Sequence, residues 1–322
     1  HCFGCTAGGD IFRFVMDQEA IGFTEAVRSL AERSGIPVPL EGGRSQQSGQ
    51  SAVDRNRVMA ALVAADGFYR EQLHGAEGSR AREFLAERGF EDNVVLHFGL
   101  GFAPDEWEAV QQHLLAAGFN EHELEVAGLV KRRETGKGTY DRLRDRVVFP
   151  IRDPRGRPVA FSGRIIGEGE PKYLNSPETI TFTKSQTLYG LFEARESINS
   201  KGFVLLVEGN FDLIACAQYG LQNVVAPLGT AFTEDHARKL SHFTRKAVVE
   251  FDGDQAGQAA AERTAGILLG NGFQVNVVRL PPEHDPDSFL RTEGAEGFRA
   301  ALSQSVTGLD FMIHRAGERA DL

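Results

Sequence analysis

From residue 203 onward the apolar residues fall into short runs, at 203–207, 223–226, 246–251 and 274–280. Stretches of helical period lie between them, at 211–219, 233–243 and 256–269. Strands apolar on both faces, each followed by a helix, predict an α/β domain: a parallel sheet with helices packed on both sides. Ligands of such sheets gather beyond the carboxyl ends of the strands. Three of the four runs deliver acids there. The first ends in Glu208-Gly209-Asn210-Phe211-Asp212, the third in Asp252-Gly253-Asp254, and the fourth leads through two prolines to Asp285-Pro286-Asp287.

Helix capping explains part of this pattern. Asp is a favoured N-cap and turn former, so Asp254 or Asp287 fits as a cap. Asp212 fits a first helical turn, where the dipole favours negative charge. Glu208, Asp252 and Asp285 have no such role in this reading. Like charges brought together disfavour ionisation unless a cation intervenes, and an all-oxygen set suits Mg2+ or Mn2+. A calcium loop does not fit, because the third acidic ligand and the distant bidentate Glu are missing after Asp254. Metals held by acids act on phosphates: they orient a triphosphate and stabilise charge on a leaving pyrophosphate.

The chain has 322 residues, 41% of them apolar, enough for two or three cores. No apolar run approaches the roughly 20 residues that span a bilayer. Residues 1–40 predict a small accessory module, with helical patterns at 10–18 and 23–33 ended by Gly35 and prolines at 37 and 39. Residues 41–54, rich in Gly, Ser and Gln, predict a flexible tether. Over 55–200 helical patterns at 57–73 and 107–117 flank an apolar segment at 94–102. They give way to β-prone runs at 147–151 and 158–161, separated by Asp153-Pro154-Arg155-Gly156, a hairpin edged with arginine. Residues 201–290 hold the acid-bearing sheet, and 291–322 open a further helical segment.

A net charge of −10 argues against coating nucleic acid by bulk attraction. Distribution reverses the sign locally: from Lys131 to Lys172 twelve Lys and Arg stand against six Asp and Glu, a candidate polyanion track. Arg144 and Arg146 share one face if their segment is extended. Three cysteines, with Cys2 and Cys5 paired in sequence and Cys216 in a helical stretch, predict a reducing cytoplasm and no disulfide framework. The start at His1, with neither an initiator Met nor a signal peptide, reads as cut.

The set Leu206-Val207-Glu208-Gly209-x-x-Asp212, Phe251-Asp252-Gly253-Asp254-x-Ala256-Gly257 and Asp285-Pro286-Asp287 resembles the TOPRIM domain shared by primases, topoisomerases and some nucleases. Two upstream stretches narrow the reaction. The run from Arg142 to Asp153, Arg-Leu-Arg-Asp-Arg-Val-Val-Phe-Pro-Ile-Arg-Asp, and the run from Pro171 to Thr179, Pro-Lys-Tyr-Leu-Asn-Ser-Pro-Glu-Thr, are similar to bacterial DNA primases of the DnaG family. The resemblance covers essentially the whole chain. It implies a nucleotidyltransferase that builds short RNA primers on single-stranded DNA from NTPs. Glu208, Asp252 and Asp254 are then catalytic, with Mg2+ or Mn2+ held by Glu208, Asp212, Asp252, Asp254, Asp285 and Asp287. Arg144, Arg146, Arg164, Lys172, Lys184 and Asn175 hold template, nascent RNA or NTP. Asn210 stands where many members have Tyr.

His1-Cys2-Phe3-Gly4-Cys5 looks like the second half of the family's zinc ribbon, with Cys2 and Cys5 as ligands. Structural zinc takes four ligands, so the other pair is expected before residue 1 and zinc is expected to be absent or weakly held here. Stoichiometric zinc by elemental analysis contradicts that expectation. The resemblance also implies a replicative helicase as partner through a C-terminal region outside this chain, and a monomeric core. Two competing readings use the same residues: a TOPRIM nuclease or topoisomerase that cleaves DNA, and a non-catalytic DNA-binding adaptor.

Overall fold

The structure is a computed structural model that describes residues 8–19, 23–34, 36, 54–134, 136–252, 254–281 and 283–320. Cys2, Cys5 and the tether up to residue 53 lie outside them. The chain divides into two units, residues 1–52 and 53–322. In the first, α1 (Ile11–Glu19) and α2 (Phe23–Ser34) pair through the rings of Phe12 and Phe23, 5.7 Å apart, with Val15 and Ala26 buried.

The second unit opens with α3 (Arg55–His74), capped by Asp54, whose carboxylate accepts from the Asn56 amide at 2.9 Å. Its buried face of Val58, Ala61, Leu62, Ala65 and Tyr69 follows the helical period. Helices α4 (Ser79–Glu87) and α5 (Asp92–Phe98) precede β1 (Gly101–Ala103). The apolar segment at 94–102 is thus two elements. Gly99, at φ 64, ends the helix in the left-handed region and turns the chain into the strand.

Helices α6 (Ala109–Ala116) and α7 (Glu121–Val126) and the small ribbon of β2 (Val130–Arg132) and β3 (Thr139–Asp141) follow. The predicted hairpin is β4 (Arg146–Arg152) with β5 (Pro158–Ile165), extended by β6 (Tyr173–Asn175) into an antiparallel sheet of order β1-β4-β5-β6.

Beyond α8 (Leu191–Lys201) the predicted alternation holds. It comprises β7 (Val204–Leu206), α9 (Asn210–Gln218), β8 (Val224–Val225), α10 (Glu234–Leu240), β9 (Lys246–Glu250), α11 (Gln255–Gly270) and β10 (Gln274–Val278). These four strands are parallel. After residue 290, where a further helical segment is expected, two helices enclose a two-residue strand. Helix α12 (Pro286–Ser303) kinks at Gly294 (φ 66), and β11 (Val306–Thr307) pairs antiparallel with β10. Helix α13 (Gly308–Ala320) then packs on α11 and β10. Phe311, 1% exposed, needs that shelter, and the sheet becomes β11-β10-β9-β7-β8.

The two large sheets share one core. Phe149 of β4 meets Phe211 of α9 edge-on at 5.1 Å, and Phe90 stacks on Phe211 at 5.2 Å. The change near residue 200 is therefore a change of sheet within one apolar interior.

Candidate active site

Glu208 follows β7 and the buried Val207, and is exposed at the sheet's carboxyl edge. Asp212 lies in the first turn of α9, where its carboxylate accepts from the Gly209 amide at 3.1 Å. A Cβ on Gly209 would stand 2.6 Å from that oxygen, so any larger residue there shifts the Asp212 carboxylate. Asp252 follows β9, and Asp254 caps α11 by accepting from the Gly257 amide at 2.7 Å. A Cβ on Gly257 would lie 2.2 Å from the Asp252 carbonyl oxygen. Only glycine lets helix and acid-bearing turn close on each other.

The third acidic pair reverses its expected roles. Asp285 is the cap of α12, accepting from the Ser288 amide at 2.7 Å. Asp287, 3% exposed, pairs with Arg88 at 3.4 Å and Arg291 at 3.3 Å. Pro286 decides this: its fixed φ and missing N–H suit the first helical position, which makes the preceding residue the cap.

Crowding and burial act on these carboxyls together. Burial, then Asp285, Asp252 and Asp287, push Asp212 up to about 7. Burial followed by Asp252 raises Glu208. Burial, then Asp285 and Asp254, raise Asp252 against the opposing charge of Lys172. Asp287 is raised by burial despite Arg291 and Arg88. A seventh acid, absent from the sequence reading, lies beneath: Glu250 closes β9 with no exposure and, among the described residues, no hydrogen-bond partner for either oxygen. The signal was a lone carboxyl ending the apolar run Ala247-Val248-Val249. Among the described residues no three His, Cys, Asp or Glu side chains already converge as a metal cage. The donor chemistry nevertheless fits a divalent cation: all oxygen, mutually repelling, with two orphaned buried oxygens below.

The basic residues divide. Lys172 acts on Asp252. Arg164 lies over Tyr173, 5.6 Å from the ring centroid, and Tyr173 is pushed up to about 12 by burial and then by Asp212; this places Arg164 at the acid edge. Arg88, another residue unread in the sequence, lies over Phe211 at 4.7 Å while pairing with Asp287. Arg146 is buried and donates to the carbonyls of Pro171 at 2.9 Å, Gly163 at 3.1 Å and Lys172 at 3.4 Å. It braces the segment that carries Lys172.

Arg144 does not share a face with Arg146, because Asp145 between them turns at φ 46. Arg144 stacks instead over Trp107, 4.2 Å from the ring centroid, and over Tyr140 at 5.1 Å, with Arg133 at 5.6 Å from both rings. Asn175 donates to the Leu228 carbonyl at 3.0 Å, tying β6 to the loop after β8. Lys184, on the turn Lys184–Gln186, is held by its carbonyl against His236 of α10 at 3.0 Å. Asn210 is buried and donates to the Ser162 hydroxyl at 3.1 Å, a bond from the start of α9 to β5. Cys216 is buried and free.

Three family models match in order along the chain. They are described as CHC2 zinc finger over residues 1–46, DNA primase catalytic core, N-terminal domain, over 68–195, and Toprim-like over 205–290. A DNA primase of Pseudomonas putida is 43% identical across 100% of this chain and 49% of its own length. The chain thus spans about half the length of the curated relatives it matches. A solved DnaG primase catalytic domain bound to ssDNA is similar at 38% identity and a TM-score of 0.75, covering 81% of this chain and 82% of that one. The zinc binding and RNA polymerase domains of the Aquifex aeolicus primase give 38% identity and 0.75 over 99% of this chain and 76% of theirs. With the acid triplet of motifs, the basic sheet and these matches in one order, the chain belongs to the bacterial DNA primase (DnaG) family.

Proposed function

We propose that the chain is the RNA-polymerising core of a DNA primase, joining ribonucleotides from NTPs into a short RNA primer on a single-stranded DNA template. The observation that carries this reading is the meeting of an acid crevice, at the ends of β7, β9 and β10, with cations of the neighbouring sheet. Lys172 acts on Asp252, and Arg164 lies beside Tyr173, itself under the charge of Asp212. A nucleoside triphosphate needs both: a metal-holding acid set and positive charge for its remaining phosphate oxygens.

Mg2+ or Mn2+, when bound, neutralises charge developing on the phosphates. Glu208, Asp212, Asp252, Asp254 and Asp285 are the proposed holders, and Asp287 orients Arg88 and Arg291. Lys172 and Arg164 hold phosphate oxygens of the NTP or of the nucleic acid. The attacking 3′-hydroxyl oxygen bonds to the α-phosphorus as the bond to pyrophosphate breaks. Glu208, exposed at the edge with a raised carboxyl, takes the hydroxyl proton. Arg144, Lys184 and the Trp107 platform track the template, and Asn175 and Arg146 fix the strands that carry the cations. Cys2 and Cys5 are proposed zinc ligands. A replicative helicase is the proposed partner, in the cytoplasm, and the core is proposed to work as a monomer.

The test is incubation of the chain with single-stranded DNA, four ribonucleotides and Mg2+ or Mn2+, beside Glu208→Gln and Asp252→Asn, with labelled products resolved by length. Short RNA from the parent chain and at least about a hundredfold less from either variant is expected. Cut DNA without RNA moves the assignment to a nuclease.

A further inference from the structure

We infer that His236 is a positioning residue for template binding: its buried imidazole links the cap of α10 to the turn Lys184–Gln186 and fixes the place from which Lys184 meets the template. The inference deepens the functional reading above and rests on it.

The bonding of the ring is the first support. His236 lies in the first turn of α10 with no exposure. Phe232, Ala237 and Leu240 of the same segment are buried in an apolar core, and the His236 ring stands 5.4 Å from that of Phe232. A polar ring in such surroundings is destabilising unless its nitrogens are bonded, and here both are. Nδ1 accepts from the Thr233 amide at 3.2 Å, and Nε2 stands 3.0 Å from the Lys184 carbonyl oxygen. An amide only donates and a carbonyl only accepts, so the ring is neutral with its proton on Nε2. Burial, which holds the imidazole below its ordinary value, acts in the same direction. Capping the helix needs only the first bond, the one a Glu or Gln makes at this position. The second bond goes to the turn.

The second support is what else meets that turn. The Thr233 hydroxyl donates to the Ser185 carbonyl at 2.6 Å, the Gln186 side-chain amide reaches the Asp235 carboxylate at 3.4 Å, and the Lys184 amide donates to Glu178 at 2.9 Å. The backbone of Lys184 is thus held through both its N–H and its carbonyl, while the residue stays half-buried. The loop from β8 to α10 leaves a strand parallel to β7, so it starts from the edge that carries Glu208. Its Leu228 carbonyl accepts from Asn175 of β6. Lys184 is in this way seated against a loop of the acid edge that the antiparallel sheet also grips. A lysine is a point charge on a flexible stem, and its backbone is the part a fold can fix.

The experiment is an anisotropy titration of a labelled single-stranded oligonucleotide with the whole chain. It compares the parent, Lys184→Ala, His236→Leu, His236→Gln and the double variant of His236→Leu with Lys184→Ala, each checked for folding by thermal melts. His236→Leu is expected to weaken binding at least about threefold, and the double variant to bind within about twofold of Lys184→Ala, because both changes remove one contact. His236→Gln keeps an acceptor for the Thr233 amide and a donor for the Lys184 carbonyl, and is expected to bind within about twofold of the parent. A merely structural role lowers affinity equally in both backgrounds, so a double variant whose loss is the product of the single losses overturns the inference. Folded His236→Leu with the affinity of the parent, or His236→Gln as weak as His236→Leu, does the same. If His236→Leu does not fold, Thr233→Gly takes its place in the cycle with the same outcomes, since it removes the bond to Ser185 at little cost to the helix cap. Unchanged affinity of Lys184→Ala overturns the inference, while primer synthesis by the parent leaves the functional reading standing. A parent chain that binds no single-stranded DNA overturns both.

Discussion

Trp107 is the only tryptophan in the chain, 58% exposed and backed by Arg144. A base stacked on an exposed indole contributes about 1–3 kcal/mol, and a cation behind the ring adds to it. Because no second indole contributes, intrinsic fluorescence reports this position alone. Single-stranded DNA is expected to quench it, and Trp107→Ala is expected to weaken DNA binding by about 5- to 150-fold in an anisotropy titration; unchanged fluorescence at saturating DNA removes Trp107 from the template path. Asp212 supports a prediction in pH. Its folded carboxyl is raised to about 7, so between the ordinary aspartate range and pH 7 the unfolded chain has released a proton that the folded chain keeps. Stability without metal is then highest in acid and falls as pH rises through that window. The metal-free chain is expected to melt about 5 °C or more lower at pH 7.5 than at pH 5.5, with Mn2+ and Asp212→Asn each shrinking the difference; Asp141, also raised to about 7 by burial, keeps a share that neither changes. A melting temperature independent of pH in calorimetry contradicts the coupling among these acids.

At the scale of elements, the sheet was legible because apolar runs and helical periods do not imitate each other, and all four parallel strands lie within their expected runs. The roles of Asp285 and Asp287 were misread because the capping argument weighed residue type and passed over Pro286, whose backbone alone selects the cap. The shared face of Arg144 and Arg146 depended on an extended segment, and an Asp at φ 46, which breaks it, leaves no mark in an otherwise β-prone string. Arg88 was illegible in principle: its partner Asp287 lies 199 residues away, and only the tertiary fold brings them together. Gly257 tests how tightly element and site are joined. Its alanine Cβ would meet the Asp252 carbonyl at 2.2 Å, so α11 must back away from the turn that presents both Asp252 and Asp254. Gly257→Ala is expected to cost about 1–3 kcal/mol in denaturant melts and to reduce priming well beyond that fraction of unfolded chain. Activity equal to the parent, per folded molecule, means the turn tolerates the shift.

The whole molecule carries −10, yet its proposed task is to hold a polyanion, and the fold resolves this by segregation. The proposed metal-holding acids cluster at the end of the parallel sheet, where a metal converts their charge from repulsive to useful, while the proposed cations lie along the antiparallel sheet, against Trp107 and on the turn Lys184–Gln186. Arg146, buried and bonded to three carbonyls, is withdrawn from phosphate, and Arg152 is withdrawn by its pairing with the half-buried Glu193. Four cations of the proposed track, Arg144, Arg164, Lys172 and Lys184, remain for direct contact. Each neutralised phosphate of a single strand contributes a slope of about −0.7 to the dependence of log affinity on log salt. Four contacts therefore predict a slope of about −3, far short of a protein that binds by bulk attraction. Lys172→Ala is expected to flatten it by about 0.7, whereas Arg146→Ala, acting through the position of Lys172, weakens binding with a smaller change of slope. Anisotropy titrations of a labelled oligonucleotide across salt concentrations measure both. A slope near zero places the template elsewhere, and equal slope changes for the two variants return Arg146 to direct contact with phosphate.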